Sequence, residues 1–385
     1  MMTLIKTEKY DKFVNNIVYS AFFIHQLFLL FSVSALAKNN GNILKIARIV
    51  IISSFVIMCM TIIYYFFRGK FSLKEIFIYI LIAIPLLISL YNYRVVMVIA
   101  NLFYAAIFKN VNINKSLNVV LYATIIGYLI NVLLGIFTKY TGNVGQVRYG
   151  FSRTRYGLGF CYAYFTGYYY LTIVIIYILA HNYLKNIEYI FLMIFNVAIF
   201  IFSDAKGAFV YTVVLIFLHL IFVRYNFKCL FSIFRVAVVL SFPVATILAI
   251  FLPAFYVQGN GIWGLLNRIV TGRLALTQNS LNTCGWTWFG QSAALWNPGV
   301  HWADSAMVLM LIQNGLVVLI MSVVFMTFFS YMAVKINHKP LMIVLFIIAI
   351  RSIFDMGFMT MQLGPVIIMF YDVYNKYKNG IVCDY

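Results

Sequence analysis

The segment at residues 283–305, TCGWTWFGQSAALWNPGVHWADS, combines side chains that can move a proton with side chains that can stack on a ligand. His301 and Asp304 lie three residues apart, a spacing that places two side chains on one side of a helical turn. A histidine pKa of about 6.5 lets the ring act as a base close to neutral pH. We therefore predict that His301 or Asp304 accepts a proton in catalysis. The structural alternatives are an interfacial hydrogen bond for His301 and an amino-terminal helix cap for Asp304.

The tryptophans of the chain all lie in residues 257–304, at Trp263, Trp286, Trp288, Trp296 and Trp302. An aromatic belt at a membrane interface would instead distribute tryptophan over the ends of many helices. Their confinement to one segment favours a surface on which sugar rings stack, because sugars present apolar C–H faces. The alternative is that part of the set packs against the membrane as a horizontal or re-entrant helix.

The elements that must position these residues are apolar helices. The chain is 64% hydrophobic and only 10% charged, with a mean hydropathy of +0.96, whereas soluble domains carry about 25% charged residues. Apolar runs long enough to cross a bilayer recur along its length. We predict an all-α polytopic membrane protein, one integral membrane domain over residues 1–385, with about twelve (10–12) transmembrane helices. The predicted spans are 13–36, 43–67, 75–90, 95–108, 117–138, 157–180, 187–202, 207–223, 234–256, 305–334, 341–357 and 359–375.

The orientation follows from the bias of Lys and Arg toward the inner side. This bias favours an inner amino terminus, although Lys38, Lys45 and Arg48 oppose it. Two long segments, 139–156 and 257–304, are then predicted to be extracytoplasmic loops. Long loops in compact folds are usually functional or disordered, and a segment rich in Trp and Gly is not typical of disorder.

Arginines are concentrated on the predicted outer side. An arginine guanidinium is a planar fork that binds two phosphate oxygens at once, which favours a phosphorylated ligand there. Contact with lipid headgroups is the alternative. We predict that a diphosphate is bound by Arg153, Arg155, Lys206, Arg268 and Arg273.

Several classes of function do not fit the sequence. A net charge of +19 is compatible with nucleic-acid binding, but the cations do not form a basic soluble domain. Walker, GxGxxG, HExxH and DxD-like patterns are absent, and the chain has only 9 acidic residues. We therefore expect neither a bound metal nor another cofactor. Arg351 and Asp355, four residues apart in an apolar run, are predicted to form a structural ion pair or to couple ions in a transporter.

Several short motifs resemble those of the O-antigen and capsular polysaccharide polymerases, the Wzy family of the O-antigen ligase-like superfamily. The resemblance spans most of residues 100–370, and its motifs are weak. They are RTRYGLGF at 153–160, SDAKGA at 203–208, TGR at 271–273, the glycine-rich stretch 285–290, and DSA at 304–306 followed by Gly315. Ser305 stands where Asn is common in the family, which argues against a role for a side-chain amide there.

The resemblance implies an enzyme of the bacterial cytoplasmic membrane. Such polymerases join oligosaccharide repeat units linked to undecaprenyl diphosphate at the outer face and release undecaprenyl diphosphate, which serves O-antigen, capsule or exopolysaccharide synthesis. Related ligases use a histidine of the large loop, at a place comparable to that of His301 and Asp304. Expected partners are the lipid-linked oligosaccharide, membrane lipid, a chain-length regulator and a flippase. The alternatives are a lipid-linked oligosaccharide flippase or transporter, and a ligase-type glycan transferase.

Overall fold

The computed structural model describes residues 2–93, 97–138, 144–148, 151–259, 261–291, 303–355 and 363–383. This part of the chain divides into two compact units. Unit 1 comprises Met1–Lys70 and Ala106–Arg224, and unit 2 comprises Phe71–Ala105 and Tyr225–Tyr385. The single membrane domain over residues 1–385 stays a prediction.

The described elements are helices apart from one β-hairpin. The helices are α1 (Met2–Ser32), α2 (Ala35–Asn39), α3 (Gly41–Phe67), α4 (Leu73–Tyr93), α5 (Met97–Ile107), α6 (Ile113–Phe137), α7 (Ala163–Ala180), α8 (Asn186–Ser203), α9 (Lys206–His219), α10 (Lys228–Ala254), α11 (Gly261–Ile269), α12 (Arg273–Cys284), α13 (Ala306–Gln313), α14 (Leu316–Lys335), α15 (Lys339–Phe354), α16 (Leu363–Ile367) and α17 (Phe370–Lys378). A 3-10 turn at Phe108–Asn110 follows α5, and a π-helical turn at Leu220–Arg224 extends α9. The antiparallel strands are β1 (Val144–Arg148) and β2 (Phe151–Arg155).

Eight helices of the described residues are long and apolar enough to cross a membrane. They are Tyr10–Ser32, Gly41–Phe67, Ile113–Phe137, Ala163–Ala180, Asn186–Ser203, Lys206–Arg224, Lys228–Ala254 and Leu316–Lys335. These helices support a helical, membrane-embedded protein, and the number of twelve spans stays a prediction. Three of the predicted spans coincide with shorter helices: α5 has 11 residues, α15 has 16, and the predicted span 359–375 overlaps with α16 and α17, which have 5 and 9.

The predicted span 305–334 is wrong as a single helix, because it is broken between α13 and α14 at Asn314 and Gly315. At this break Gly315 lies against the backbone of Trp288 and Gly290, so closely that a β-carbon would overlap with it. Gly290 in turn has no room for a β-carbon beside the carbonyl group of Gln313. Both glycines have positive φ angles, +86° and +91°, a region that side chains disfavour. The backbone of the 285–290 stretch therefore packs directly into the break.

The two long segments predicted as outer loops contain secondary structure. Residues 257–304 include α11 and α12, and residues 139–156 include the hairpin, in which Val144 pairs with Arg155. The designation of these segments as extracytoplasmic stays a prediction.

Unit 1 is organised around α1 and α6, which pack on each other, with α3 against α1 and α7 against α6. The chain reaches α7 through a tight passage at Gly159, which has a φ angle of +83°. A β-carbon there would overlap with the carbonyl oxygen of Asn131 on α6. The amide of Ala35 donates to the carbonyl oxygen of Gly159 at 2.7 Å. These contacts hold the residues that follow β2 in a fixed place.

Unit 2 is organised around α10, which packs against both α14 and α15. The ring of Phe234, in the second turn of α10, lies 5.2 Å from the ring of Phe346, in the middle of α15. The 16 residues of α15 span about 24 Å at a rise of 1.5 Å per residue. Lys339 is the first residue of α15, and Arg351 lies in its last turn.

The contact between Gly290 and Gly315 predicts a large effect of one methyl group. Gly290→Ala is expected to lower the free energy of unfolding by about 1–3 kcal/mol more than Gly259→Ala, because only position 290 lacks space. Gly259 is a matched control, since its φ angle is +87° and nothing lies within 4 Å of an added β-carbon. Thermal unfolding of the purified variants in neutral detergent measures the difference. Equal melting temperatures would contradict the close packing.

Candidate functional site

The carboxyl-terminal end of α15 accepts hydrogen bonds from two other parts of unit 2, the start of α12 and the start of α13. The carbonyl oxygen of Phe354 accepts a hydrogen bond from Nη1 of Arg273, and that of Asp355 accepts one from the amide of Ala306 at 3.2 Å. The carbonyl oxygen of Ser352 accepts one from the Ser305 hydroxyl, also at 3.2 Å. The last carbonyl groups of a helix have no partner within the helix, so such external donors satisfy them. The helix end thereby positions Arg273 and the two residues that follow Asp304.

Asp304 forms an ion pair with Arg273. The distance between Arg273 Nε and Asp304 Oδ2 is 3.2 Å, and the two side chains are 26% and 24% exposed. Arg273 is the first residue of α12 and follows Gly272, whose φ angle is +85°. A guanidinium carries five N–H donors in a fixed fork, so it can hold a protein oxygen and an external anion at once.

The helix cap of α13 is Ser305, and the alternative of Asp304 as the cap is wrong. The Ser305 hydroxyl accepts a hydrogen bond from the amide of Val308 at 3.4 Å. Because Ser305 performs this function, the Asp304 carboxylate is available for the contact with Arg273. A serine directly before the apolar run 306–313 was a signal for this cap in the sequence.

Trp286 and Trp288 lie on a short segment that is fastened to the start of α14. The amides of Leu316 and Val317 donate to the carbonyl oxygens of Thr287 and Trp288 at 2.9 and 3.1 Å. The two indole rings are 54% and 61% exposed. Their centroids lie 6.1 Å apart and their planes are nearly perpendicular, at 79°. The structure therefore presents two accessible aromatic surfaces on a fixed backbone.

Trp263 belongs to a different environment, the short helix α11. Its ring is half-buried and contacts Tyr256 edge-on at 6.4 Å. The same helix exposes the apolar side chains of Ile262, Leu265 and Ile269. An exposed apolar face on a short helix is typical of a helix lying at a membrane surface. For Trp263 the structure thus favours the membrane-packing alternative. Arg268, the predicted diphosphate ligand on the same helix, is exposed.

In unit 1, Arg155 binds the carboxyl-terminal end of α8. Its Nε and Nη2 donate to the carbonyl oxygens of Ser203 and Asp204 at 3.0 and 3.2 Å. The amide of Tyr156 donates to the carbonyl oxygen of Phe202 at 2.9 Å. Lys206 follows at once as the exposed first residue of α9. The structure thus brings Arg155 to the turn that carries Lys206, and Arg155 has a structural contact there.

The pair Arg351–Asp355 is buried in unit 2. Its Nη2 and Oδ1 atoms lie 3.4 Å apart, and the side chains are 3% and 9% exposed. Asp355 is the cap residue that follows the last residue of α15. Its carbonyl oxygen accepts the hydrogen bond from the amide of Ala306 at the start of α13. The pair therefore belongs to the same helix end as the Arg273 contact, which favours the structural interpretation.

Other predicted site residues fall outside the described part of the chain. They are His301, Trp296 and Trp302. Arg153 is described only by its backbone, which lies in β2 opposite Gln146. Within the described residues, unit 2 brings together Arg273 and Asp304.

The described residues contain no group of three or more His, Cys, Asp or Glu side chains that could hold a metal ion. Burial raises the pKa of the Cys161 thiol to about 11, and it also raises the pKa of the Cys284 thiol. Both thiols are therefore protonated at neutral pH, which is unsuited to a nucleophilic cysteine.

Comparison with known proteins returned no match, whether to a protein-family model, to a curated protein or to a solved structure. The candidate site is therefore described by its own geometry.

The cap of α13 predicts different effects of two substitutions at Ser305. Ser305→Ala is expected to lower the free energy of unfolding by about 0.5–2 kcal/mol, because it removes a helix cap. Ser305→Asn is expected to cost less, since Asn caps helices equally well. Thr283→Ala is the control, because the Thr283 hydroxyl is exposed and bonds only its own helix among the contacts described. Thermal unfolding measures all three, and equal losses for Ser305→Ala and Thr283→Ala would contradict the cap.

Proposed function

We propose that this chain is a polysaccharide polymerase of the bacterial cytoplasmic membrane. It joins oligosaccharide repeat units linked to undecaprenyl diphosphate, at the outer face and without a metal ion. The observation that carries the proposal is the ion pair between Arg273 and Asp304, fixed at the end of α15 and partly accessible. It combines a phosphate-binding cation with a proton acceptor, and these are the two functions that such a transfer requires.

The reaction is a displacement at the anomeric carbon of the donor sugar. A hydroxyl oxygen of the acceptor forms the new bond to this carbon, and the bond from the carbon to the diphosphate oxygen breaks. The electron pair of that bond leaves with undecaprenyl diphosphate, and the hydroxyl proton passes to the base. Attack opposite the leaving group inverts the configuration of the anomeric carbon. A glycosyl diphosphate already carries a good leaving group, so a nucleotide is not required.

Asp304 is the described candidate for the base, and His301 is the second candidate. A carboxylate has two oxygens and about four sites for accepting hydrogen bonds. Contact of Oδ2 with Arg273 is therefore compatible with acceptance of a proton. Arg273 would also hold the carboxylate in one orientation, which a general base needs.

The cations stabilise the negative charge that develops on the departing diphosphate. Arg273 would do this in unit 2, together with the exposed Arg268. In unit 1 the corresponding group is Arg155 and Lys206, with Arg153. Lys206 starts α9, and the amino-terminal end of a helix attracts anions through its dipole and its amide groups. This supports diphosphate binding at the turn between α8 and α9.

The exposed rings of Trp286 and Trp288 support binding of a saccharide. An indole ring offers a flat apolar surface to the C–H face of a sugar, and the perpendicular planes suit a bent oligosaccharide. Trp296 and Trp302 are proposed to contribute to the same surface, whereas Trp263 is the member of the set with a membrane-packing alternative. Such a cover would also exclude water and so limit hydrolysis.

The function predicts loss of polymer when the ion pair is broken. Arg273→Ala and Asp304→Asn are each expected to reduce chain extension by about 100-fold or more, because a stabilising cation or the proton acceptor is removed. Gel electrophoresis of polysaccharide from cells that carry only the variant gene would show single repeat units and no ladder.

The matched control is the ion pair between Lys376 and Asp372 in the same unit, which has a similar exposure and a distance of 2.8 Å. Lys376→Ala and Asp372→Asn are expected to leave the ladder unchanged. Polymer of normal length and amount in both Arg273→Ala and Lys206→Ala would contradict the proposal.

The exposed indole rings predict a separate effect on substrate binding. Trp286→Ala and Trp288→Ala are expected to raise KM for the lipid-linked repeat unit by about 5–100-fold, by analogy with the 1–3 kcal/mol of a stacked ring. Phe at either position should retain most of the binding. Initial rates over a range of repeat-unit concentrations separate KM from kcat. An unchanged KM in the double variant would show that these rings do not contact the saccharide.

A further inference from the structure

A basic pocket lies at the opposite end of unit 2 from the ion pair of Arg273 and Asp304. Its volume is about 720 Å³. It is formed at the amino-terminal ends of α10 and α15, the turn before α15 and the chain after α17. The lining residues are Asn226, Lys228, Phe231, Arg235, Lys335, Asn337, Lys339 and Val382.

The charges in this basic pocket have one sign. Four of its lining residues are cations, and none of the lining residues is acidic. The ion pair of Asp372 and Lys376 on α17 is close by, but neither residue lines the pocket. Two helices, α10 and α15, also begin here, and each contributes the positive end of its dipole. The described lining of the pocket therefore carries an excess of positive charge.

Lys339 is the most buried cation that lines the basic pocket, and its residue is 3% exposed. Its Nζ donates to the neutral Oδ1 of Asn226 at 2.9 Å and lies 5.3 Å from the centre of the Phe231 ring. Burial, and then the nearby charge of Lys228, lower the pKa of the Lys339 amine. The Lys339 amine adds its charge to those of the exposed Lys228, Arg235 and Lys335 in the same pocket.

The backbone around the basic pocket is held in place. Asn337 adopts a φ angle of +57° in the turn between α14 and α15. The amide of Cys383 donates to the carbonyl oxygen of Ile336 at 2.7 Å, and Nδ2 of Asn337 donates to the carbonyl oxygen of Cys383 at 3.3 Å. The chain after α17 is thus fastened across the turn, and it brings Val382 to the wall of the pocket.

We propose that this pocket binds a phosphate group, and that the headgroup of an anionic membrane lipid supplies it. Clusters of Lys and Arg between membrane helices attract anionic headgroups. Exposed apolar side chains of α10 next to the pocket, those of Leu230 and Ile233, suit the attached acyl chains. The bias of Lys and Arg predicts that this end of unit 2 lies on the inner side of the membrane. The proposal does not depend on the polymerase function, because it concerns the other end of α15.

The test measures binding of phosphatidylglycerol to the purified full chain in neutral detergent by native mass spectrometry. Lys228→Gln/Lys335→Gln removes two exposed cations of the pocket and leaves the buried Lys339 in place. The dissociation constant for the first phosphatidylglycerol is expected to rise about fivefold for each cation removed, since each contributes about 1 kcal/mol. Phosphatidylcholine should bind weakly to both proteins.

The matched control is Lys74→Gln/Lys378→Gln, which removes the same charge from exposed positions of unit 2 outside the pocket. It is expected to bind phosphatidylglycerol like the wild-type chain. Equal weakening in the two double variants would overturn the proposal, because net charge alone would then explain binding. Wild-type binding in Lys228→Gln/Lys335→Gln would overturn it as well.

Two further arms identify the source of the phosphate. Inorganic phosphate at millimolar concentration is expected not to displace phosphatidylglycerol, and full displacement would overturn the assignment to a lipid. Asp384 follows Val382 closely in the chain and lies outside the described residues. Asp384→Asn is expected to bind phosphatidylglycerol like the wild-type chain. Binding at least tenfold tighter would overturn the proposal, because a carboxylate of the chain itself would then occupy the pocket.

Discussion

The carboxyl-terminal end of α15 is the constraint on which the candidate site depends. Helix-terminal carbonyl groups need donors from elsewhere, and in hydrocarbon an unsatisfied backbone group costs several kcal/mol. In unit 2 these donors are the guanidinium of Arg273, the hydroxyl of Ser305 and the amide of Ala306. Because the same contacts hold Arg273 and the two residues that follow Asp304, satisfying the helix end also places the two members of the ion pair.

Unit 1 uses the same arrangement at a different helix. Arg155 donates to the last carbonyl groups of α8, immediately before the exposed Lys206. In each unit an arginine thus donates hydrogen bonds to the last carbonyl groups of a helix. A positive charge therefore lies close to the end of that helix. A fork of five donors suits both a helix end and a phosphate group, whereas lysine offers a single point charge. Structural and ligand-binding functions of these arginines are therefore compatible.

The sequence alone was sufficient for the apolar helices, because hydropathy over about 20 residues reports directly on membrane spans. It also singled out Arg273 and Asp304. It did not predict the break at Gly315, although Gln313, Asn314 and Gly315 interrupt the apolar run there, because the close approach of Gly290 is a tertiary contact. The sequence likewise did not predict that the Phe354 carbonyl oxygen accepts a hydrogen bond from Arg273, because every residue type has a backbone carbonyl group. The Ser305 cap had a local signal, but the neighbouring Asp304 fitted the same pattern.

The central claim is that the chain itself forms glycosidic bonds from lipid-linked repeat units. The most direct test supplies the purified chain, in vesicles, with repeat units linked to undecaprenyl diphosphate and with no other protein or nucleotide. The proposal predicts a ladder of polymer, with one undecaprenyl diphosphate released for each new bond. Movement of the repeat units across the bilayer with no chain extension would contradict the claim and favour a transporter.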